Sequence, residues 1–128
     1  MCSKKIVKTD KAPSAIGPYS QAVISNNFIF TAGQIPINPE TGRIVDGGFK
    51  EQVRQVLENI KAIIEAAGSN IENIVKLTVY LTDLSFFGEL NEVFNEYFSD
   101  NPPARSAMQV SRLPKEAMIE IDAVVTLK

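Results

Sequence analysis

Apolar and polar residues alternate with a period of two along several parts of the chain, which is the pattern of a β-strand with one buried face. In the segment 75–82 the odd-numbered residues are valine or leucine, whereas the even-numbered ones are lysine, threonine or tyrosine. Asn26 and Asn27 interrupt another such segment and favour a tight hairpin turn, because asparagine tolerates positive φ. The alternating segments are 4–9, 20–34 on both sides of that turn, 75–82, 105–110 and 119–127.

Two other segments carry apolar residues at the spacing of an amphipathic helix. Residues 49–67 place phenylalanine, valine, leucine and isoleucine on one face and lysine, arginine and glutamate elsewhere, and Gly68 is well placed to end this helix. The second helix is predicted over 86–98. Asp83 and Ser85 are candidates to cap its start, and the prolines at 102 and 103 prevent its continuation.

The predicted elements follow the order β-β-β-α-β-α-β-β, and no internal repeat or linker divides residues 1–128. We therefore expect a single α+β domain in which both helices cover one face of a sheet. The second face would carry small and partly apolar residues, and helices on one side cannot cover it. This composition predicts a subunit interface and a homo-oligomer. The residues assigned to this face are Thr78, Tyr80, Ala107, Gln109, Asp122, Val124 and Thr126.

The stretch 102–124 places Arg105 and Glu120 in two otherwise weakly charged strand patterns. A proline lies in the turn between them, so a hairpin with a longer loop is predicted, with the two strands as antiparallel neighbours. If the isoleucines of the last strand face the core, Glu120 points to the second face. By the same parity, if Met108 and Val110 face the core, Arg105 lies on the opposite face of its strand. The pattern thus predicts that Arg105 and Glu120 share the second face.

Composition limits the chemistry that is available to the chain. Its net charge is −2 with a pI near 5.2, and no basic block occurs, which gives nucleic-acid binding little support. No histidine is present, so catalysis through the usual general base or a Ser-His dyad is excluded. The one cysteine, Cys2, indicates a terminal thiol in a reducing compartment, by default the cytoplasm. No run approaches the ~18 apolar residues of a membrane helix.

Several separated short motifs together resemble those of the reactive-intermediate deaminase family, RidA, also called YjgF. The resemblance covers nearly the whole chain. It implies a chorismate-mutase-like α+β subunit that forms homotrimers with ligand clefts between subunits. It also implies hydrolysis of 2-iminobutanoate and 2-iminopropanoate to 2-oxo acids and ammonia, with no metal and no cofactor. The motifs are 16–21 (IGPYSQ), 32–36 (AGQIP), Asn91, 103–106 (PARS) and 119–121 (IEI).

The resemblance implies roles for three side chains in binding and hydrolysing a small 2-imino acid. Arg105 would anchor the substrate carboxylate, a task that suits the planar fork of a guanidinium. Glu120 would hold and activate the attacking water, which a carboxylate of tuned proton affinity can do. Tyr19 would close over the ligand and hydrogen-bond to it.

Further positions would offer backbone or polar contacts by the same resemblance. Gly33 permits close approach of a ligand, and a peptide N–H at Ala107 can hold a carboxylate oxygen. Asn91 matches a polar residue of the cleft. Two positions depart from the common family pattern: position 107 is often cysteine and position 32 often serine, whereas both are alanine here. Thiol-dependent mechanisms at position 107 are therefore excluded.

Other interpretations stay open at this stage. Arg105 could be an ion-paired surface group, Glu120 could pair with Lys76 or Lys115, and Asn91 could be an interhelical amide. Tyr19 could be a hydrophobic plug, and Gly33 a bulge. The same cleft could also bind a small carboxylate metabolite for regulation without turnover. A ribonuclease or translation-inhibitor role ranks third, because neither a histidine nor a phosphate-binding patch is present.

Overall fold

A computed structural model describes residues 3–128, so the predicted terminal thiol at Cys2 lies outside the described residues. The elements occur in the predicted order β-β-β-α-β-α-β-β. The strands are β1 Lys4–Val7, β2 Ala22–Ser25, β3 Phe28–Thr31, β4 Ile74–Leu81, β5 Ala104–Gln109 and β6 Ile119–Thr126. The helices are α1 Phe49–Ala66 and α2 Phe87–Tyr97, and short 3₁₀ turns span Ile71–Asn73, Leu84–Phe86 and Pro114–Glu116.

The ends of several elements follow the predicted local signals. Gly68 has φ of 92° just after α1, the left-handed conformation that a helix-ending glycine supplies. Asp83 caps the 3₁₀ turn that precedes α2, where its Oδ1 accepts a hydrogen bond from the Ser85 amide at 2.8 Å. Asn26, with φ of 56°, forms the predicted β2–β3 turn. Within residues 3–128, no helix combines the length and apolar composition that crossing a membrane requires.

The six strands form one mixed sheet in the order β1-β2-β3-β6-β4-β5. The predicted hairpin between β5 and β6 is wrong: β6 lies between β3 and β4 and is antiparallel to both, whereas β5 pairs with β4 in parallel at the edge. The cause is the β4-α2-β5 unit, in which a crossover helix returns the chain to the same sheet in parallel. Alternation identifies a strand, but it does not identify the strand's partners.

Both helices cover one face of the sheet, as predicted, and the hydrophobic core lies between the helices and the sheet. The core side chains of the central strands are fully or almost fully buried, and burying each valine, leucine or isoleucine among them contributes roughly 1.5–3 kcal/mol. On β4 and β6 they are Leu77, Val79, Leu81, Ile119, Ile121, Ala123 and Val125. The helices contribute Phe49, Val53, Val56, Leu57, Ile60, Ile63, Ile64, Leu90, Val93 and Phe94.

The second face of the sheet differs in part from the predicted set. Thr78, Tyr80, Asp122, Val124 and Thr126 do lie opposite the core, because they alternate with fully buried neighbours. The assignment of Ala107 and Gln109 is wrong, since the parallel register pairs them with Val79 and Leu81 on the helix-covered face. Two β3 residues that had not been assigned, Phe28 and Phe30, lie on the second face and are 39% and 43% exposed.

Candidate functional site

One half of the candidate site forms around Glu120, which β6 directs to the second face of the sheet. Gly33 follows β3, and the next residue bridges to β6: Gln34 N donates to Ile121 O at 2.8 Å, and Ile121 N donates to Gln34 O at 3.1 Å. This bridge holds Gly33 against the Glu120 carboxylate. A Cβ on residue 33 would collide with Glu120 Oε2 and lie 2.9 Å from Glu120 Cδ. Only glycine therefore lets the carboxylate occupy this position.

The Glu120 carboxylate borders a cavity of about 610 Å³ that has mostly apolar walls. Tyr19 stands at this cavity and is 54% exposed, with its hydroxyl 3.4 Å from the Ile16 amide that donates to it. The loop before Tyr19 is held by the buried Gln21, whose side chain accepts from Thr9 N at 2.8 Å and donates to Pro13 O at 2.7 Å. The structure thus brings together the predicted site residues Glu120, Gly33 and Tyr19.

The surroundings of Glu120 favour its protonated form. Burial raises the pKa of this carboxyl above its ordinary value of 4.5, and the charge of Asp122 raises it further. Within residues 3–128, the salt bridges join surface side chains of α1 and α2, and none of them includes Glu120. The predicted alternative of a surface ion pair with Lys76 or Lys115 is therefore not realised in this part of the chain. A carboxylate with raised proton affinity can act as a general base near neutral pH.

The other half of the site forms around Arg105 on the edge strand β5. Arg105 Nη1 donates a hydrogen bond to Asn91 Oδ1 of α2 at 2.8 Å. The guanidinium carbon also lies 5.0 Å from the centroid of the Phe87 ring and 5.1 Å from that of Phe94, both within cation–π range. Burial lowers the pKa of Arg105, but arginine stays protonated in proteins. These contacts hold a cation in a fixed orientation at a separate groove of about 580 Å³.

The two halves do not meet within one chain, so the predicted sharing of one face by Arg105 and Glu120 is wrong. Arg105 is in register with the buried Leu77 and contacts α2, which places it on the helix-covered face. Glu120 is in register with Tyr80 on the second face. The prediction failed because it assumed that Met108 faced the core, whereas Met108 is 40% exposed. Ala107 lies with Arg105 on the helix-covered side.

Sequence reasoning missed the two aromatic side chains that hold Arg105. Phe87 and Phe94 lie seven residues apart on α2, with Asn91 between them, so all three project on one side of the helix. The apolar stripe predicted for this helix included Phe94, which does pack in the core, but not Phe87, and the spacing gave no sign that the two rings flank a cation. Within residues 3–128, no group of three or more cysteine, aspartate and glutamate side chains is arranged to hold a metal ion.

Comparisons with known proteins agree with this fold and these motifs. A family model described as Endoribonuclease L-PSP matches residues 9–127. A RutC family protein of Pyrococcus abyssi is 57% identical over 122 residues, covering 95% of this chain and 96% of that protein. A human protein named 2-iminobutanoate/2-iminopropanoate deaminase is 47% identical over 121 residues, covering 94% of this chain and 88% of that protein.

Solved structures show the same similarity. The crystal structure of Escherichia coli TdcF with bound serine has a TM-score of 0.91 and 46% sequence identity, and the match covers 95% of this chain and 98% of that one. The fold is thus a two-helix, six-stranded α+β subunit of the RidA and YjgF type. The chain belongs to the Endoribonuclease L-PSP family, which also carries the names RutC and RidA, as the sequence motifs predicted.

Proposed function

We propose that this protein hydrolyses small 2-imino acids, such as 2-iminobutanoate and 2-iminopropanoate, to 2-oxo acids and ammonia. The observation that carries this proposal is Glu120, a half-buried carboxylate of raised pKa that is packed against Gly33 at a cavity. Imine hydrolysis needs such a base to activate water. The names of the similar human and rat proteins, 2-iminobutanoate/2-iminopropanoate deaminase, support the choice of substrate.

The proposal includes a homotrimer in which neighbouring protomers complete each site. Arg105 and Glu120 lie on opposite faces of one sheet, so one small ligand reaches both only if two protomers contribute. One protomer would supply Arg105, Asn91 and the Ala107 backbone, and its neighbour Glu120, Gly33 and Tyr19. The partly apolar second face, with Phe28 and Phe30 exposed, supports association through this surface. Three equivalent contacts around a threefold axis would create three sites.

In this arrangement the free N–H groups of Arg105 bind the substrate carboxylate, while Asn91 and the phenylalanine rings fix the guanidinium. Glu120 takes a proton from water as the water oxygen bonds to the C=N carbon, and the imine nitrogen receives a proton. In the resulting carbinolamine, the hydroxyl proton passes to the nitrogen through Glu120 or water. The C–N bond then breaks, releasing ammonia and leaving the C=O group of the 2-oxo acid. No redox step or cofactor enters this sequence.

A second candidate is a binding module that holds a carboxylate metabolite without turnover. The half-site around Arg105 supports this function as strongly as it supports catalysis, because an anchored guanidinium binds a carboxylate whether or not chemistry follows. The TdcF structure contains serine, which also carries a carboxylate. Cleavage of RNA, suggested by the name of the family model, has less support because the chain lacks histidine and has a net negative charge.

Glu120→Gln separates catalysis from binding, because glutamine keeps the shape of the side chain but cannot take the proton. A dehydratase or amino-acid oxidase generates the imine, and a chemical trap that competes for free imine reports hydrolysis above the spontaneous background. We expect turnover to fall by about 10²- to 10⁴-fold while binding of 2-oxobutanoate, measured by calorimetry, falls much less. Glu65→Gln, an exposed change on α1, is the matched control. Near wild-type turnover in Glu120→Gln refutes the assigned role.

A further inference from the structure

A second carboxylate lies beside Glu120 on the same face of β6. Asp122 is two residues further along the strand, so the two side chains project in the same direction about 7 Å apart along the backbone. Both are half-buried, where charges interact more strongly than at a fully exposed surface. The motif that identified the site ended at residue 121 and so did not include Asp122.

Tyr80 lies beside the two carboxylates on the neighbouring strand β4. It lies directly opposite Glu120 in the β4–β6 register, but its hydroxyl reaches diagonally and donates to Asp122 Oδ2 at 3.2 Å. The pKa of Tyr80 is raised first by burial and then by Asp122, which keeps the hydroxyl protonated and able to donate. This hydrogen bond holds the Asp122 carboxylate on the sheet, next to Glu120, instead of leaving it free to turn towards solvent.

The other groups that face Glu120 are few within residues 3–128. The cavity brings Tyr19 and Lys115 from two loops, β4 brings Tyr80, and β6 brings Asp122. Gly33, which follows β3, adds no side chain, and Met108 of β5 is the register partner of Tyr80. In the proposed trimer, Arg105 of a neighbouring protomer would also face the cavity and oppose the effect of Asp122. Among these groups, Asp122 is thus the acidic side chain that disfavours ionisation of Glu120.

We propose that Asp122 and Tyr80 are positioning residues for the reaction: Tyr80 holds the Asp122 carboxylate beside Glu120, and Asp122 acts on the reaction through Glu120. The catalytic consequence rests on the proposed function of the site. Where two carboxylates lie close together, the charge of one favours the protonated form of the other. A general base transfers protons more effectively when its pKa lies closer to the working pH.

The direct test is the titration of Glu120 by NMR in protein labelled with ¹³C at the glutamate side-chain carboxyl, with Glu120→Gln used to assign the signal. Asp122→Asn removes the charge at nearly constant shape, so we expect the pKa of Glu120 to fall. Tyr80→Phe keeps the ring opposite Glu120 in the register but releases Asp122, so a smaller fall is expected. Asp46→Asn, an exposed change of the same charge, is the control and should leave the titration unchanged.

The double variant tests whether Tyr80 acts through Asp122. If it does, adding Tyr80→Phe to Asp122→Asn should lower the pKa of Glu120 no further, because the two effects belong to one network. An additional fall in the double variant, or an unchanged Glu120 titration in Asp122→Asn, overturns the proposal.

The pH profile of imine hydrolysis supplies the second readout. Glu120 must be ionised to act as a base, so kcat/KM falls as pH drops through its pKa. In Asp122→Asn this acid limb should move to lower pH, and the rate above it should fall. An acid limb that stays in place would overturn the catalytic role of the pair. The titration requires no substrate, so a shifted titration in a protein that hydrolyses no imine would uphold the coupling and refute the proposed function instead.

Discussion

The two halves of the candidate site hold their charged groups in opposite ways. Arg105 is fixed by a hydrogen bond to Asn91 and by two phenylalanine rings, all from the helix that follows β4. Glu120 lies against the backbone of Gly33 at an open cavity, and within residues 3–128 it forms no salt bridge. Within residues 3–128, the fold thus holds the Arg105 guanidinium with three partners and gives the Glu120 carboxylate no salt-bridge partner.

This difference matches the two tasks that imine hydrolysis requires. An anchor works best when its orientation is set before the ligand arrives, because less rotational freedom is lost on binding. A base has to accept a proton during the reaction, and a strong ion pair would lower the pKa of Glu120 and weaken it in that role. In the proposed reaction, the Arg105 half would therefore supply specificity and the Glu120 half the chemistry.

Replacing Arg105 should produce the largest loss of binding. Arg105→Ala removes charge-assisted hydrogen bonds to the substrate carboxylate, and we expect KM to rise by about 10- to 100-fold with a smaller fall in kcat. Arg105→Lys should recover only part of this loss, since an ammonium cannot form the bidentate pair. Steady-state kinetics with Arg43→Lys, an exposed loop change, as control tests the prediction. Full activity of the lysine variant would show that Arg105 is not a bidentate anchor.

Gly33→Ala should disturb the Glu120 half with an intermediate effect. The new methyl group collides with the end of the Glu120 side chain, which can move aside, so we expect a folded protein with a displaced base. Turnover should fall by roughly 10-fold, with little change in 2-oxobutanoate binding. Gly88→Ala is the matched control, because a Cβ there meets no atom within 4 Å. Wild-type turnover in Gly33→Ala would contradict the close packing of these two residues.

The smallest effect concerns stability. The pKa of Glu120 is raised in the folded protein, so the folded state binds more protons than the unfolded state as pH rises between the two pKa values. Unfolding free energy therefore decreases across that window and stays lower above it. Glu120→Gln removes this loss of unfolding free energy. We therefore expect a higher Tm than wild type at pH 8 but no such gain near pH 4, where Glu120 is largely protonated.

The measurement is thermal unfolding at equal protomer concentration, because assembly makes Tm depend on concentration. Glu65→Gln, an exposed change, should show no gain that depends on pH. A difference between Glu120→Gln and wild type that is the same at pH 4 and pH 8 would mean that the ionisation of Glu120 does not oppose folding.

The sequence predicted the elements and their order well, because long amphipathic patterns report directly which residues face a core. It failed on β5, whose residues are all half-exposed or exposed, so its alternation has no clear apolar side. An edge strand lacks the burial that would mark its faces. This one ambiguity reversed the faces of Arg105 and Ala107 and led to the incorrect prediction that Arg105 and Glu120 meet within one chain.

The contacts of the site depend on residues that are distant in sequence. The sequence marked Gly33 as a position for close approach of a ligand or as a bulge, but only the fold shows that Glu120 requires the missing side chain. In the same way, the hydrogen bond between Tyr80 and Asp122 depends on the β4–β6 register, and that register depends on the insertion of β6 beside β4. Family motifs identified which residues matter, whereas their grouping into two halves required the topology.

Mixed trimers show whether each site combines Arg105 of one protomer with Glu120 of another. At substrate concentrations well below KM, Arg105→Ala and Glu120→Gln should each keep only a small part of wild-type activity, and both are assembled together in equal amounts by co-expression or refolding. Random assembly makes about three quarters of the trimers mixed, and each mixed trimer holds one intact site among three, so about a quarter of wild-type activity should return. If the mixture is no more active than the two single variants, each site lies within one chain, and the proposed sharing of a site by two protomers is wrong.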